Sequence, residues 1–450
     1  MEKKDKLLVT LLIGGGFFLR IWRLRELMGF DYDQEVAAFA VDRILSGKLT
    51  LIGQEISTGG VFIGPGYYYL LTVFYWAFGM DPIGAGVMVA LISVATMAVL
   101  FVFTRELFDN KTAFIALLMY ATSARINFYD RTTAPSNPLM LAGLLTLLLL
   151  WKMRRGRVWL LPLAIMTALI ATVHLHPSAA VVLPLGAVLW KHWKLPRPSM
   201  AQVIASIAAA TIVISPLILF DIRHDFLNSK GIIDTLKAPG NEAYAFPFKL
   251  LMTLRIQAEN LASLFAVKKG FGIVLGLATM TYMMLSKRGR KRLLWLWILI
   301  PSVVFSFYTR HIPEYYFLSA FPALVIILAS SVSKLSKNMP AILTALLVAI
   351  VVVPNLLGII KSTNPYSLKH KWDTVNYIKK KAGRDAVVAF DTDVGLEAGF
   401  RFLLSQAEVR FDSLEAPTHT IVIPPERRHA EGEETTFGGI KVIKSQEVGE

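Results

Sequence analysis

The feature that most restricts this chain is a series of apolar runs, about 16 to 22 residues each, separated by short charged clusters. At about 1.5 Å per helical residue such runs match the roughly 30 Å hydrocarbon core of a bilayer. Lipid offers no partner to an unpaired backbone group, so each run has to be helical. They lie at 7–24, 83–104, 112–128, 136–151, 157–174, 177–190, 200–220, 270–286, 293–309, 315–333 and 339–360, with a shorter one at 67–80. Composition agrees. The chain is 54% hydrophobic and 18% charged, where a soluble domain carries about a quarter charged residues.

A net charge of +15 would suggest nucleic acid in a soluble protein. Here most of the excess sits in short loops between apolar runs, where it orients the chain in the membrane, and no nucleic-acid partner is expected. The absence of cysteine excludes disulfides, zinc-thiolate sites and cysteine nucleophiles. The charged start Met1–Lys6 runs into an apolar stretch that continues to Trp22 with no small-residue cleavage site, so it is read as a retained first span.

The 67–80 run decides the topology. If it does not cross, the clusters Lys3–Lys6, Arg105/Lys111, Lys152–Arg157, Lys191–Arg197, Lys287–Arg292 and Lys334/Lys337 fall on one side. If it crosses, every later cluster moves outward against the positive-inside bias. The expectation is therefore about 11 transmembrane helices plus interfacial helices, with the N-terminus inside and the C-terminus outside. Arg20, Arg23 and Arg25 run against the rule at the outer end of the first span; they either snorkel or serve the site. The fold class expected is an all-α polytopic membrane domain over 1–361, in the plasma membrane. It is followed by a small extracytoplasmic soluble α/β domain over 362–450, with a helix at 371–381. Strands are expected at Ala386–Phe390, Thr418–Ile423 and Ile440–Ile443, and a charged loop at Glu426–Glu434.

Apart from Arg20, Arg23 and Arg125 the runs hold almost no acids or bases. A transporter usually needs such groups or broken helices near the midplane, so this distribution favours a site at the outer membrane surface. Asp31-Tyr32-Asp33-Gln34-Glu35 opens a stretch, 34–46, with Val36, Ala40, Val41, Ile44 and Leu45 on one face, the pattern of an interfacial helix. Asp31 with Gln34 makes a capping box. One cap needs one side chain, so Asp33 is left over; on the residues alone a functional and a structural role stand level for it. Asp31 and Glu35 read first as structural. Gly59 to Gly66 allows a tight backbone, and Tyr67, Tyr68 and Tyr69 suit either a sugar or lipid contact or an aromatic belt. His174 and His176 point apart if helical, so a shared metal is not expected. Asp130-Arg131, Asp221–Asp225 and Arg310–Tyr316 occupy other outer mouths. Single arginines there anchor to headgroups, whereas several on one rim make a phosphate site. These parts suit transfer of a sugar from a polyprenyl phosphate: a carboxylate, Asp33, takes the acceptor proton. Arg223, with Arg131 or Arg310, stabilises the released phosphate.

The layout resembles the membrane glycosyltransferases of the GT-C fold, in the branch of the protein O-mannosyltransferases and the lipid A aminoarabinose transferase. The matching motifs are Asp33-Gln34-Glu35-Val36-Ala37 through Ile44-Leu45-Ser46-Gly47, then Gly64-Pro65-Gly66-Tyr67-Tyr68-Tyr69-Leu70. Arg131 to Pro135, Tyr315-Tyr316-Phe317 and Phe321-Pro322 complete them. The resemblance implies an inverting glycosyltransferase with Asp33 as general base, a polyprenyl-phosphate sugar as donor and an undefined hydroxyl acceptor. Two departures are Gln34, where the family usually has a second acid, and Ile63, where a basic residue is common. They shift the expected phosphate contacts to Arg223, His224 or Lys48. Asp31 and Asp33 also resemble the acidic pair that holds a divalent metal in oligosaccharyltransferases; nearer relatives work without one, so no metal or other cofactor is expected. Tyr67, Tyr68, His174 and His176 are the candidate sugar or lipid contacts. The alternatives are a transporter or flippase of lipid-linked glycans, and a non-catalytic membrane scaffold.

Overall fold

The computed structural model describes residues 2–444 apart from 57–58, 238–245, 309, 414, 428–431 and most of 265–288. The run at 270–286 therefore lies outside the described residues, as does the middle of the Glu426–Glu434 loop.

Among the described residues five helical stretches are long and apolar enough to cross a membrane: Ile83–Leu107, Val158–Leu175, Met200–Arg223, Glu314–Leu335 and Ala341–Lys361. Glu314–Leu335 is buried almost throughout, at the centre of the bundle. Met200–Arg223 leaves Ile204, Ile207 and Ile212 exposed, and Ala341–Lys361 leaves Ile342, Leu346 and Ile350 exposed. Apolar faces this continuous are stable against lipid tails, not against water.

Other apolar runs are broken. The 112–128 run divides at Ser123 into Asn110–Thr122 and Ala124–Tyr129. The break frees the Ala124 N–H, which donates to Asn355 Oδ1 at 2.9 Å, while Asn355 Nδ2 donates to Leu264 O at 2.9 Å. The 67–80 run forms Gly66–Ala77, 12 residues, about 18 Å long and short of the roughly 30 Å core.

The stretch 221–269, which holds none of the apolar runs, contains the helices Leu227–Lys237 and Phe248–Ser263. The second is inside out. Lys249, Thr253, Gln257 and Asn260 are buried along one stripe, while Phe248, Leu251 and Met252 are exposed. A hydropathy reading takes polar spacing for a water-facing side and so misses a helix whose polar stripe faces protein.

Arg20, Arg23 and Arg25 each have a carboxylate partner within the protein. Arg20 is fully buried: its Nε donates to Asp130 Oδ2 at 2.9 Å and Ser93 Oγ at 2.7 Å, and its Nη1 to Gly16 O and Ala121 O. Arg23 pairs with Glu26 at 2.5 Å and Arg25 with Asp81 at 2.6 Å.

After Ala341–Lys361 comes a helix at Leu368–Ala382, then a five-stranded mixed sheet: β1 Val387–Thr392, β2 Arg410–Phe411, β3 His419–Ile423, β4 Glu433–Phe437 and β5 Ile440–Lys444. The order is β2-β1-β3-β5-β4, with β2, β1 and β3 parallel and β3, β5 and β4 antiparallel. Glu433 and Glu434, expected in the charged loop, lie in β4. A short helix, Phe400–Gln406, connects β1 to β2 and buries Phe400, Phe402, Leu403 and Leu404. The short helix Leu24–Leu27, just after the first helix, meets this domain directly: Leu368 N–H donates to Met28 O at 2.9 Å.

A buried charge left without its partner costs about 3–5 kcal/mol. Arg20→Met leaves Asp130 in that state. Its thermal midpoint in detergent is expected to fall well below wild type, and an unchanged midpoint would refute the role given to this pair.

Candidate active site

The acidic motif is divided by helix geometry. The helix Tyr32–Leu45 starts at Asp31, whose N–H donates to Gln34 Oε1 at 3.0 Å in a capping box. Residues four apart lie on one side of a helix and the residue between them on the other. Asp31 Oδ1 accepts from Lys371 Nζ at 3.1 Å, and Glu35 Oε1 accepts from the Phe402 N–H at 2.9 Å. Both partners belong to the C-terminal part of the chain. Asp33 faces elsewhere, and its Oδ1 accepts from Gln54 Nε2 at 2.5 Å. Its charge is felt at Tyr67, Tyr68 and Tyr315, so the site joins the first loop to the segment after Pro313. Asp33 is reached by solvent, yet protein crowds its carboxyl enough to raise its pKa above the ordinary carboxylate value. The Gln54 N–H opposes that shift and the Asp31 charge adds to it. A carboxylate so placed is a better base than a fully solvated one.

Gln54 is held by a small hairpin. Gly53 N–H donates to Ile63 O at 2.7 Å and Ile63 N–H to Gln54 O at 3.0 Å, and Gly59 and Gly60 turn the chain with φ of 77° and 69°. His174 bolts this loop to the bundle. A π-helical turn at Ile170–Leu175 presents it; its Nδ1 accepts the Gly66 N–H at 3.1 Å and its Nε2 donates to Val213 O at 2.8 Å. A Cβ on Gly64 would stand 2.3 Å from the His174 ring, so the glycine is needed for contact and not for flexibility. Tyr67 and Tyr68 are buried beneath the loop, and burial, with the Asp33 charge next, pushes the Tyr68 phenol up to about 12.

His176 serves a different group. Its Nδ1 accepts the Ser178 N–H at 3.2 Å and its ring packs on Tyr315 and Tyr316 at 5.7 and 5.1 Å. Burial lowers its pKa to about 4, so it is neutral near pH 7. The two histidines do not converge. Among the described residues no group of three or more His, Asp or Glu could hold a metal ion. Asp31 and Asp33 accept from different partners, Lys371 and Gln54.

The cations are not gathered as the sequence suggested. Arg131 is buried, with its guanidinium on Leu19 O, Trp22 O and Arg20 O, the carbonyls ending the first helix. A guanidinium so engaged caps the end of the first helix. Arg223 ends the helix Met200–Arg223 with its side chain exposed, and Lys48 is exposed just past Gly47. His224 Nδ1 donates to Phe220 O at 2.8 Å and stacks on the Phe220 ring at 4.2 Å. Phe220 in turn contacts Phe62 of the glycine-rich loop at 6.0 Å, and Asn228 pairs with the Phe62 backbone. Arg310 is half-buried and its carbonyl accepts Lys249 Nζ at 2.8 Å. Among the described residues no hydrogen bond or ion pair joins Lys48, Arg223 or Arg310 to Asp33.

Sequence reasoning missed Gln54, Lys371 and Phe402. Gln54 was an ordinary loop residue, and Lys371 lies 340 positions from Asp31. No local spacing could have joined them.

With this geometry in place, comparison with known proteins gives the class. Residues 63–220 match the model of the dolichyl-phosphate-mannose-protein mannosyltransferase family. No curated protein matches the whole chain by sequence at a significant level. Among solved structures the chain is similar to ArnT from Cupriavidus metallidurans bound to undecaprenyl phosphate, with 11% identity, 97% of each chain covered and a TM-score of 0.64. It is also similar to the oligosaccharyltransferase of Archaeoglobus fulgidus in complex with Zn and sulfate. There the identity is 11%, the TM-score 0.52, and the coverage 90% of this chain and 62% of that one. The chain has the GT-C fold of these membrane glycosyltransferases.

Gln54 favours the ionised form of Asp33, so Gln54→Leu raises the Asp33 pKa further. If Asp33 acts as a base, the acid limb of kcat/KM moves to higher pH while the activity above it is largely kept. A limb that stays put would show that Asp33 is not the titrating group.

Proposed function

We propose that the protein is an inverting glycosyltransferase that moves a sugar from a polyprenyl-phosphate donor to an acceptor hydroxyl at the outer face of the membrane. The observation that carries this reading is the isolation of Asp33. Its two acidic neighbours are engaged by Lys371 and the Phe402 N–H, whereas Asp33 is exposed with only the Gln54 amide on it, and its charge reaches Tyr68 and Tyr315. The fold shared with a protein solved bound to undecaprenyl phosphate supports a lipid-phosphate donor. The family match supports mannose as the first sugar to try.

In this reaction the acceptor oxygen bonds to the sugar C1 as the bond from C1 to the phosphate oxygen breaks on the opposite face. Asp33 takes the acceptor proton, and the phosphate leaves with its electron pair. It is a good leaving group, so no acid need protonate it. Arg223, His224, Arg310 and Lys48 are the proposed phosphate contacts, Arg131 being committed to the first helix. Tyr67 and Tyr68 wall the sugar side. The reading requires no divalent cation, because Lys371 already neutralises Asp31.

Purified protein incubated with polyprenyl-phosphate mannose, and then with other hexoses and pentoses, is expected to release polyprenyl phosphate. Asp33→Asn should lower the rate by about a hundred-fold or more. Undiminished release in the variant would move the base elsewhere. Movement of intact donor across reconstituted vesicles, without release, would establish the transport alternative.

A further inference from the structure

We propose that Lys371 is a positioning residue for Asp33: its ammonium ties the C-terminal domain to the acidic motif and sets the charge beside the base. The inference rests on the glycosyl-transfer reading above. Lys371 sits on the helix Leu368–Ala382 and is only 1% exposed. Its Nζ donates to Phe30 O at 2.7 Å, Ala398 O at 2.7 Å and Asp31 Oδ1 at 3.1 Å. An ammonium has three protons to give, and here each has an acceptor.

The acceptors lie at the two ends that must be joined. Phe30 and Asp31 lead directly into the helix carrying Asp33. Ala398 precedes Gly399, the N-cap of Phe400–Gln406. Gly399 has φ of 89°, and a Cβ there would stand 1.9 Å from Phe30 O, so the two backbones touch. On the other side of Asp33, Glu35 accepts the Phe402 N–H, and the Phe402 ring packs on Phe30, Phe39 and Tyr75 at 5.9, 5.3 and 6.3 Å. Asp33 thus lies between two ties to the same domain. A structural peg needs no charge next to the base. This one neutralises Asp31, whose charge bears directly on Asp33.

The groups facing Lys371 are Asp31 and Glu35 from the acidic motif and the Phe400 ring from its own domain. Those facing Asp33 are Asp31, Gln54, Tyr67, Tyr68 and Tyr315. Removing the ammonium leaves Asp31 uncompensated and makes Asp33 harder to ionise. Neutralising Asp31 does the reverse.

The test is the pH dependence of kcat/KM for release of polyprenyl phosphate from polyprenyl-phosphate mannose, in the full-length protein. Lys371→Met is expected to move the acid limb upward by roughly 0.5 pH unit and Asp31→Asn to move it downward. Opposite movement is a signature that loss of packing cannot produce, since misfolded protein lowers the plateau without moving the limb. If Lys371→Met does not accumulate as folded protein, Asp31→Asn decides alone: a limb that stays or rises overturns the proposal. Asp33→Asn is the control. Lost turnover in that control, with unmoved limbs in the other two, overturns the role of Lys371 and leaves the reaction standing. Full turnover in that control removes Asp33 as the base, and this role with it, and leaves the reaction class standing.

Discussion

In surroundings without water every interrupted helix leaves backbone groups that some side chain must satisfy, and that requirement accounts for several of the buried polar residues in this bundle. The break at Ser123 is met by Asn355, reaching from another apolar helix. The irregular loop at Gly64–Gly66 is met by His174, which joins it to Val213. The carbonyls ending the first helix are met by Arg131, and those at Gly16 and Ala121 by Arg20. The broken helices come from the sequence, and the buried polar side chains follow from the breaks.

This explains what could be read from the chain in advance. Apolar length is a local property, and the stretches 83–104, 200–220 and 339–360 were visible from length and composition alone; each coincides with a helix long enough to cross, 339–360 starting two residues before its helix. The strand pieces at Ala386–Phe390, Thr418–Ile423 and Ile440–Ile443 were visible for the same reason, their apolar residues being consecutive. Phe248–Ser263 was hidden because its stripe of Lys249, Thr253, Gln257 and Asn260 mimics a solvated surface. A guanidinium near a helix end looks alike in sequence whether it meets a phosphate or a carbonyl, and that Arg131 meets carbonyls shows only in three dimensions.

Within the site, the motif Asp31-Tyr32-Asp33-Gln34-Glu35 carried more information than its residues alone suggested. Helical periodicity sends the first and last acids to one side and the middle one to the other. A helix start needs one cap, which is why Asp33 stood out as surplus. The sequence could not say what held Asp31 and Glu35. Their partners, Lys371 and the Phe402 N–H, lie beyond the last apolar helix, and contacts that distant leave no periodic trace.

The same division bears on why the C-terminal domain is attached at all. A carboxylate flanked by two uncompensated acids would have its pKa pushed up further by their charge. Replacing those acids by neutral residues would remove the repulsion, but also the cap and the two docking points. Occupying them with a buried ammonium and a helix N-terminal N–H keeps the motif acidic and quiets its charge. On that account the domain is part of the site's electrostatics whatever else it binds. Variation in how tightly it docks should then tune the base, while the lipid-facing helices remain indifferent to it.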